Sequence, residues 1–159
     1  MTKFKKVAVI GSGLMGSGIA AQIANSGTEV LLLDILSDDP NNRNLISEKA
    51  IEKLLKTKPA ALMHKRNVKL ITPGNIDDHM HLISECDWVC EAVLENLTIK
   101  HEIYKKIEKF YSKDSIISSN TSTIPLKILS EKLSRSDKPS LLSGLVKEFC
   151  ALAELSSCW

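Results

Sequence analysis

The chain has 159 residues, the size of one ordinary domain, and its 43% hydrophobic content is enough to build a core. Lys and Arg total 21 against 19 Asp and Glu, and a formal net charge of +2 gives no electrostatic reason to expect nucleic acid or an anionic membrane as partner. Aromatic residues make up 4% of the chain, too few for a base-stacking surface.

Val7-Ala8-Val9-Ile10 is a continuous apolar run, the pattern of a strand buried on both faces of a parallel sheet. Glycines follow, and Met15, Ile19 and Ile23 then recur at helical spacing. Asn25-Ser26-Gly27 supplies the stop, with Gly27 suited to the left-handed residue beyond a helix end. Val30-Leu31-Leu32-Leu33 is a second buried strand, closed by Asp34. Strand, helix and strand make a βαβ unit.

Residues 37 to 44 form a polar loop, and Ile46, Ala50 and Leu54 mark a helix ending near Lys58-Pro59, because the residue before proline avoids helical geometry. A short helix is expected within 60 to 67. Val68 to Thr72 is expected as a strand stopped by Pro73-Gly74, and a short helix near 79 to 85 precedes a strand at Trp88-Val89-Cys90. Ile99, Ile103, Ile107 and Phe110 define an amphipathic helix with Asn96 as its cap and lysines on its outer face. Ser115 to Ser118 forms another short strand and Ile124 to Leu133 another helix. After Ser134 the sequence becomes loop-like, with helical spacing returning at Leu142, Val146 and Phe149. Residues 1 to 134 are therefore expected as one domain and 135 to 159 as a divergent tail.

Cys86, Cys90, Cys150 and Cys158 contain no Cys-x-x-Cys, and no histidine stands at zinc-finger spacing, so no metal site is expected. Cys86 and Cys90 read as small apolar residues of a reducing compartment. The apolar run after Lys3, Lys5 and Lys6 breaks at once on Gly11-Ser12-Gly13, which makes a poor secretion signal. No stretch approaches the roughly 18 apolar residues of a membrane span. The expected location is the cytoplasm, with no membrane partner.

The most informative motif is Gly11-Ser12-Gly13-Leu14-Met15-Gly16, which fits Gly-x-Gly-x-x-Gly without departure. Gly11 permits the turn out of the strand, Gly13 lets the backbone approach a pyrophosphate, and Gly16 lets the helix pack on the sheet. The helix N-terminus offers unpaired N–H groups to the phosphates. Asp34 stands where an acid meets the adenosine ribose hydroxyls, and its charge would repel a 2′-phosphate. The expected cofactor is NAD, and the expected fold is α/β, a Rossmann-type open parallel sheet with helices on both faces.

Two further stretches follow strands at the same sheet edge: Asp87 to Lys100, and Ser118-Ser119-Asn120-Thr121-Ser122-Thr123. By residue type alone, Glu95 and Lys100 fit an exposed charge pair as well as a ligand contact. The hydroxyls of the second stretch fit helix capping better than ligand orientation.

Together the three stretches resemble the NAD-binding domain of the 3-hydroxyacyl-CoA dehydrogenases of fatty-acid β-oxidation. The likeness runs from about residue 4 to about 133. It rests on Gly-Ser-Gly-Leu-Met-Gly-Ser-Gly-Ile-Ala at 11 to 20, Glu-Ala-Val-Leu-Glu-Asn-Leu at 91 to 97, and Ser-Asn-Thr-Ser at 119 to 122. The resemblance implies that the glycine loop with Leu14 and Met15 holds the pyrophosphate and that Asp34 holds the adenine-side ribose. It further implies that Ala92, Glu95 and Lys100 line the nicotinamide side, and that Ser122 touches nicotinamide and the substrate 3-hydroxyl of an acyl-CoA.

The family's general base is a histidine in a His-Phe-Phe-Asn-Pro segment, whose position here falls near Ser143-Gly144, where no such segment stands. The histidines present, His64, His79, His81 and His101, are all upstream and read as surface residues. No catalytic residue is assigned, because Ser122 and Lys100 are poor substitutes for the base. Loss of the pattern after Leu133-Ser134 leads to the expectation of a truncated domain that binds NAD with little or no turnover. Two other functions fit the sequence: half of an active dehydrogenase completed by a chain that supplies the histidine and the C-terminal helical domain, or a non-enzymatic interaction remnant with an uncovered apolar face.

Overall fold

A computed structural model describes residues 4–125, 128 and 129. In chain order these form β1 (Lys6–Ile10), α1 (Leu14–Asn25), β2 (Glu29–Asp34) and α2 (Leu45–Lys56). There follow β3 (Ile71–Asn75), α3 (Ile76–His79), β4 (Trp88–Glu91), α4 (Leu97–Phe110) and β5 (Ile116–Ser119). Two 3-10 helices, Lys65–Leu70 and Met80–Glu85, complete the set among the described residues.

The strands form one parallel sheet in the order β3-β2-β1-β4-β5, with Val9 of β1 level with Leu32 on one side and Cys90 on the other. Period-two alternation divides each apolar strand between two cores. Val7, Val9, Val30 and Leu32 pack with Ile19, Ala20, Ile23 and Ala24 of α1 and Leu54 of α2. Ala8, Ile10, Leu31 and Leu33 face the opposite layer, with Ile83 of the second 3-10 helix and Ile103, Tyr104 and Ile107 of α4. Covering both faces explains why β1 and β2 read as unbroken apolar runs rather than alternating ones. The α/β open parallel sheet with helices on both faces is the fold of the protein.

Several local expectations need correction. No α-helix forms within 60 to 67; a 3-10 helix begins at Lys65 and takes up Val68 to Leu70, which were expected in a strand. The strand instead runs Ile71–Asn75, straight through Pro73 and Gly74. It pairs with β2 alone, so proline's missing N–H leaves no gap in a ladder on its other side. Gly74 fits because an added Cβ would sit 2.8 Å from Leu33 Cδ2 and 3.2 Å from the His79 ring. Helix α3 and the following 3-10 helix start three residues earlier than expected, since Asn75 caps α3 by accepting from Asp77 N and Asp78 N.

Other signals hold closely. Gly27 adopts φ +82° past the end of α1, and Asn96 caps α4 by accepting from Thr98 N and Ile99 N. On α4, Lys105 and Lys109 are exposed as expected, whereas Lys100 is fully buried. Of the helix expected over Ile124 to Leu133, Ile128 and Leu129 are helical. Ile124 and Pro125 are not helical, because the residue before a proline avoids helical geometry and Pro125 only accepts, through its carbonyl, from Ile128 N and Leu129 N. Residues 126, 127 and 130 to 133, the segment around Ser143-Gly144 and the 135 to 159 tail lie outside the described residues.

Topology positions the site. From central β1 the chain moves one way to β2 and β3, then crosses back to add β4 and β5 on the other side. The loops leaving β1 and β4 therefore diverge at one point of the carboxyl edge, where open α/β sheets bind ligands.

Candidate functional site

At the divergence point Gly11 turns the chain out of β1 with φ +102°, a conformation that side chains rarely tolerate. Its N–H donates to the Leu33 carbonyl at 2.7 Å, and an added Cβ would lie 2.5 Å from the Ala92 carbonyl oxygen. The Ala92 backbone thus presses directly on the glycine turn, and its own N–H donates to the Ile10 carbonyl at 2.8 Å. A Cβ on Gly16 would collide with the Gly11 carbonyl oxygen, so α1 can close on the strand only with glycine there.

Gly13 differs from both. It adopts φ −60°, open to any residue, and an added Cβ would meet nothing within 4 Å. No steric demand from the chain itself explains this glycine; the empty space above it is a cradle. No side chain caps α1, so its first-turn N–H groups and positive dipole end face the same space. A pyrophosphate fits this arrangement. Leu14 and Met15 flank it on the first turn, 82% and 38% exposed.

Asp34, half-buried at the end of β2, accepts from Ser12 N, Ser12 Oγ and, at 2.7 Å, from Ile35 N. Its carboxylate braces the first turn of the glycine loop and reaches the carboxyl edge beside it.

The other half of the site is built around a carboxylate that sequence reasoning passed over. Glu91, the last residue of β4, has no solvent exposure. Its Oε1 accepts from Lys100 Nζ at 2.7 Å and Val93 N at 2.9 Å. Its Oε2 accepts from Ser119 Oγ at 2.6 Å and Tyr104 OH at 3.3 Å. Lys100 is likewise fully buried, and its Nζ also lies 3.4 Å from Glu95 Oε2. Breaking such a buried pair by removing one partner typically costs about 3–5 kcal/mol. The signal in the sequence was a lone acid closing the apolar run Trp88-Val89-Cys90, which has to find a partner when the strand is buried.

Glu95 gathers the loop after β5. Its Oε1 accepts from Thr121 Oγ1 (2.7 Å), Ser122 N (2.9 Å), Thr123 N (3.0 Å) and Thr123 Oγ1 (3.0 Å). Partial burial pushes its pKa up, but the hydrogen bonds from Thr121, Thr123 and Ser122 outweigh that and bring it down to about 2. Glu95 and Lys100 do pair, but only Glu95 is exposed; Lys100 is buried and ties the pair to Glu91. Ser122 itself is exposed on the loop that Glu95 holds.

The structure thus brings Gly11, Ser12, Gly13, Leu14, Met15, Gly16, Asp34 and Ala92 together on one side of the divergence point. Glu95, Lys100 and Ser122 gather on the other. A cleft of about 180 Å³ adjoins the glycine loop between α1 and α2, with Ser12, Ser17, Lys53 and Thr57 on its walls. Lys53 was not singled out in the sequence, since a helix-face lysine reads as solvated. Two of the histidines have partners away from this network: His79 Nδ1 accepts from Asn75 N at 3.1 Å, and the His101 ring lies 3.1 Å from the Ile128 carbonyl.

Residues 6–142 match the family described as 3-hydroxyacyl-CoA dehydrogenase, NAD binding domain. The chain belongs to that family. Its cofactor is NAD, and the uncapped helix, the cradle over Gly13 and the acid at Asp34 suit it.

Among this domain's relatives is a Deinococcus radiodurans protein named "Probable 3-hydroxyacyl-CoA dehydrogenase", 47% identical over 126 residues, 79% of this chain and 36% of the relative. Human mitochondrial hydroxyacyl-coenzyme A dehydrogenase is 33% identical over 138 residues, 84% of this chain and 44% of that protein. The solved structure of (S)-3-hydroxybutyryl-CoA dehydrogenase PaaH1 from Ralstonia eutropha superposes with a TM-score of 0.65 at 27% identity, covering 87% of this chain and 48% of the other. The NAD-binding domain in hand therefore spans less than half the length of these relatives.

Proposed function

We propose that this chain binds NAD as the cofactor domain of a 3-hydroxyacyl-CoA dehydrogenase, and that the 159-residue chain by itself turns over little or no substrate. In the whole reaction an L-3-hydroxyacyl-CoA becomes the 3-ketoacyl-CoA, and bound NAD supplies the hydride acceptor. The observation that carries the binding half is the uncapped N-terminus of α1 beneath the open cradle at Gly13.

In this reading Gly11 to Gly16 hold the pyrophosphate through backbone N–H groups, with Leu14 and Met15 shielding it from water. Asp34 accepts from the adenine-side ribose hydroxyls and disfavours a 2′-phosphate by charge repulsion. Ala92, Glu95 and Lys100 border the nicotinamide half, and Ser122 offers its hydroxyl to nicotinamide and to the acyl-CoA 3-hydroxyl. That hydroxyl needs a base to lose its proton, a contribution of about 10²–10⁴-fold in rate. Glu95, with its pKa near 2 and its Oε1 engaged by the 121–123 loop, is a poor base at neutral pH. A chain that supplies a histidine base would complete the site.

No helix among the described residues is long and apolar enough to cross a membrane. A cytoplasmic location goes with this reading, supported by Cys86 and Cys90, which stand as buried free thiols.

Titration of the purified chain with NADH, followed by fluorescence, tests the binding half. No binding at millimolar cofactor would overturn it. An acetoacetyl-CoA reduction assay on the same preparation tests the rest: robust turnover without any added chain would refute the claim of little activity.

A further inference from the structure

One buried carboxylate touches both halves of the carboxyl edge. Through Val93 N, at 2.9 Å, Glu91 fixes the backbone just beyond Ala92, whose carbonyl lies against the Gly11 turn. Through Lys100 Nζ, at 2.7 Å, it fixes the cation that sits 3.4 Å from Glu95 Oε2. Glu95 in turn holds Ser122 N and Thr123 N with its other oxygen. Ser119 Oγ donates to Glu91 Oε2 at 2.6 Å, and Asn120 N donates to the Glu91 carbonyl at 2.7 Å, so the base of the same loop is tied to the same residue.

We propose that Glu91 is a positioning residue, which sets the geometry of the Ser122 loop relative to the glycine turn by holding Lys100 against Glu95. This rests on the reading of that edge as the nicotinamide side. Stability alone is a weak reason for the arrangement, because a buried ion pair replaced by apolar residues of similar volume is often neutral or stabilising. The charges matter for placement instead. Glu91 anchors Lys100 Nζ at 2.7 Å, where the ammonium stands 3.4 Å from Glu95 Oε2 and leaves Glu95 Oε1 to the loop.

The test uses two variants of the full chain, Glu91→Gln and the double variant Glu91→Gln/Lys100→Met, each compared with the parent by NMR amide exchange and by NADH titration. The double variant removes both buried charges, so it folds even where the single variant, with its buried lysine less well partnered, is destabilised. The expected result without cofactor is exchange about tenfold faster at the Ser122 and Thr123 amides, with the β1 amides unchanged. NADH affinity falls by about tenfold in the same variants. A merely structural role would speed exchange throughout the sheet or nowhere. Parent-like exchange at Ser122 and Thr123 in the double variant overturns the proposal. Because that exchange is read without cofactor, a parent chain that fails to bind NADH would overturn the cofactor-domain function and leave this result to stand or fall separately.

Discussion

Asp34 accepts hydrogen bonds from both the backbone N–H and the hydroxyl of Ser12, each at 2.5 Å. The end of β2 is thereby tied to the first turn of the glycine loop, 22 residues earlier. One side chain holds the loop in shape, and in the proposed function it also meets the adenine-side ribose. Replacing it with the isosteric amide, Asp34→Asn, keeps the volume but removes the charge and forces an N–H₂ group among donors. We expect NADH affinity to fall about tenfold. Affinity for NADPH should fall less or rise, because the repulsion of its 2′-phosphate goes with the charge. Parallel fluorescence titrations with the two cofactors measure this. An unchanged ratio of the two affinities would remove Asp34 from cofactor selection.

The glycines of the loop separate folding from binding. Gly16→Ala places a Cβ on the Gly11 carbonyl oxygen, and backbone cannot yield there as a flexible side chain would. This variant should lose several kcal/mol of stability, about the size of a severe core overpacking. Gly13→Ala meets no protein atom within 4 Å at an ordinary φ, so its thermal midpoint should stay near the parent value while NADH binding weakens sharply. Gly18→Ala, inside α1 and equally open, should gain about 0.5–1 kcal/mol from helix propensity. Thermal melts alongside NADH titrations distinguish the three. A Gly13→Ala variant with parent affinity would contradict the pyrophosphate cradle.

These contrasts bear on what could be read from residues alone. Gly11 and Gly16 were legible because each meets a local demand that pattern expresses, a turn after an apolar run and then a helix packed on the strand, whereas Gly13 was legible only as part of the motif. Asp34 was legible as the acid closing the next apolar run. Strand β3 was misplaced because Pro73-Gly74 reads as a stop, and only its edge position, a property of the whole sheet, makes proline harmless there. For Lys100 an exposed charge pair fitted the residue types as well as a ligand contact did, and Glu102, Lys105 and Lys109 on the same helix are exposed. The burial of Lys100 depends on Glu91, which lies on a different element. The clamp from Glu95 to Thr121, Ser122 and Thr123 spans 26 to 28 positions with no repeating pattern to announce it. Local geometry leaves a signature in spacing, and long-range polar pairing does not.

The Glu95 clamp has a pH signature. Its folded pKa of about 2 lies below the ordinary 4.5, so the native state binds its proton less readily than the unfolded chain. The stabilisation is fully present above pH 4.5 and is lost as the pH falls toward 2. Glu95→Gln removes the titration and keeps the shape. Urea unfolding of parent and variant should therefore differ most above pH 5, and the gap should shrink steadily as the pH is lowered to 3. A gap independent of pH over that range would mean that the carboxylate charge does not hold the loop.

Cys86 and Cys90 provide a final check on the sheet core. Both are buried, at 2% and 1% exposure, and desolvation pushes each thiol up to about 11. Thiolate is the reactive form, so at pH 8 these two sulfurs combine a small ionised fraction with no access. Cys86 Sγ also donates to the Leu82 carbonyl at 3.7 Å, which further favours the protonated thiol. A brief pulse of iodoacetamide on the native protein, followed by peptide mass spectrometry, should leave Cys86 and Cys90 unmodified, and adding urea should label both. Since Cys90 lies level with Val9 in the centre of the sheet, and Cys86 packs in the layer of α4, the two report on separate faces. Rapid native labelling of Cys90 would mean that β4 opens readily, and with it the strand that presents Glu91.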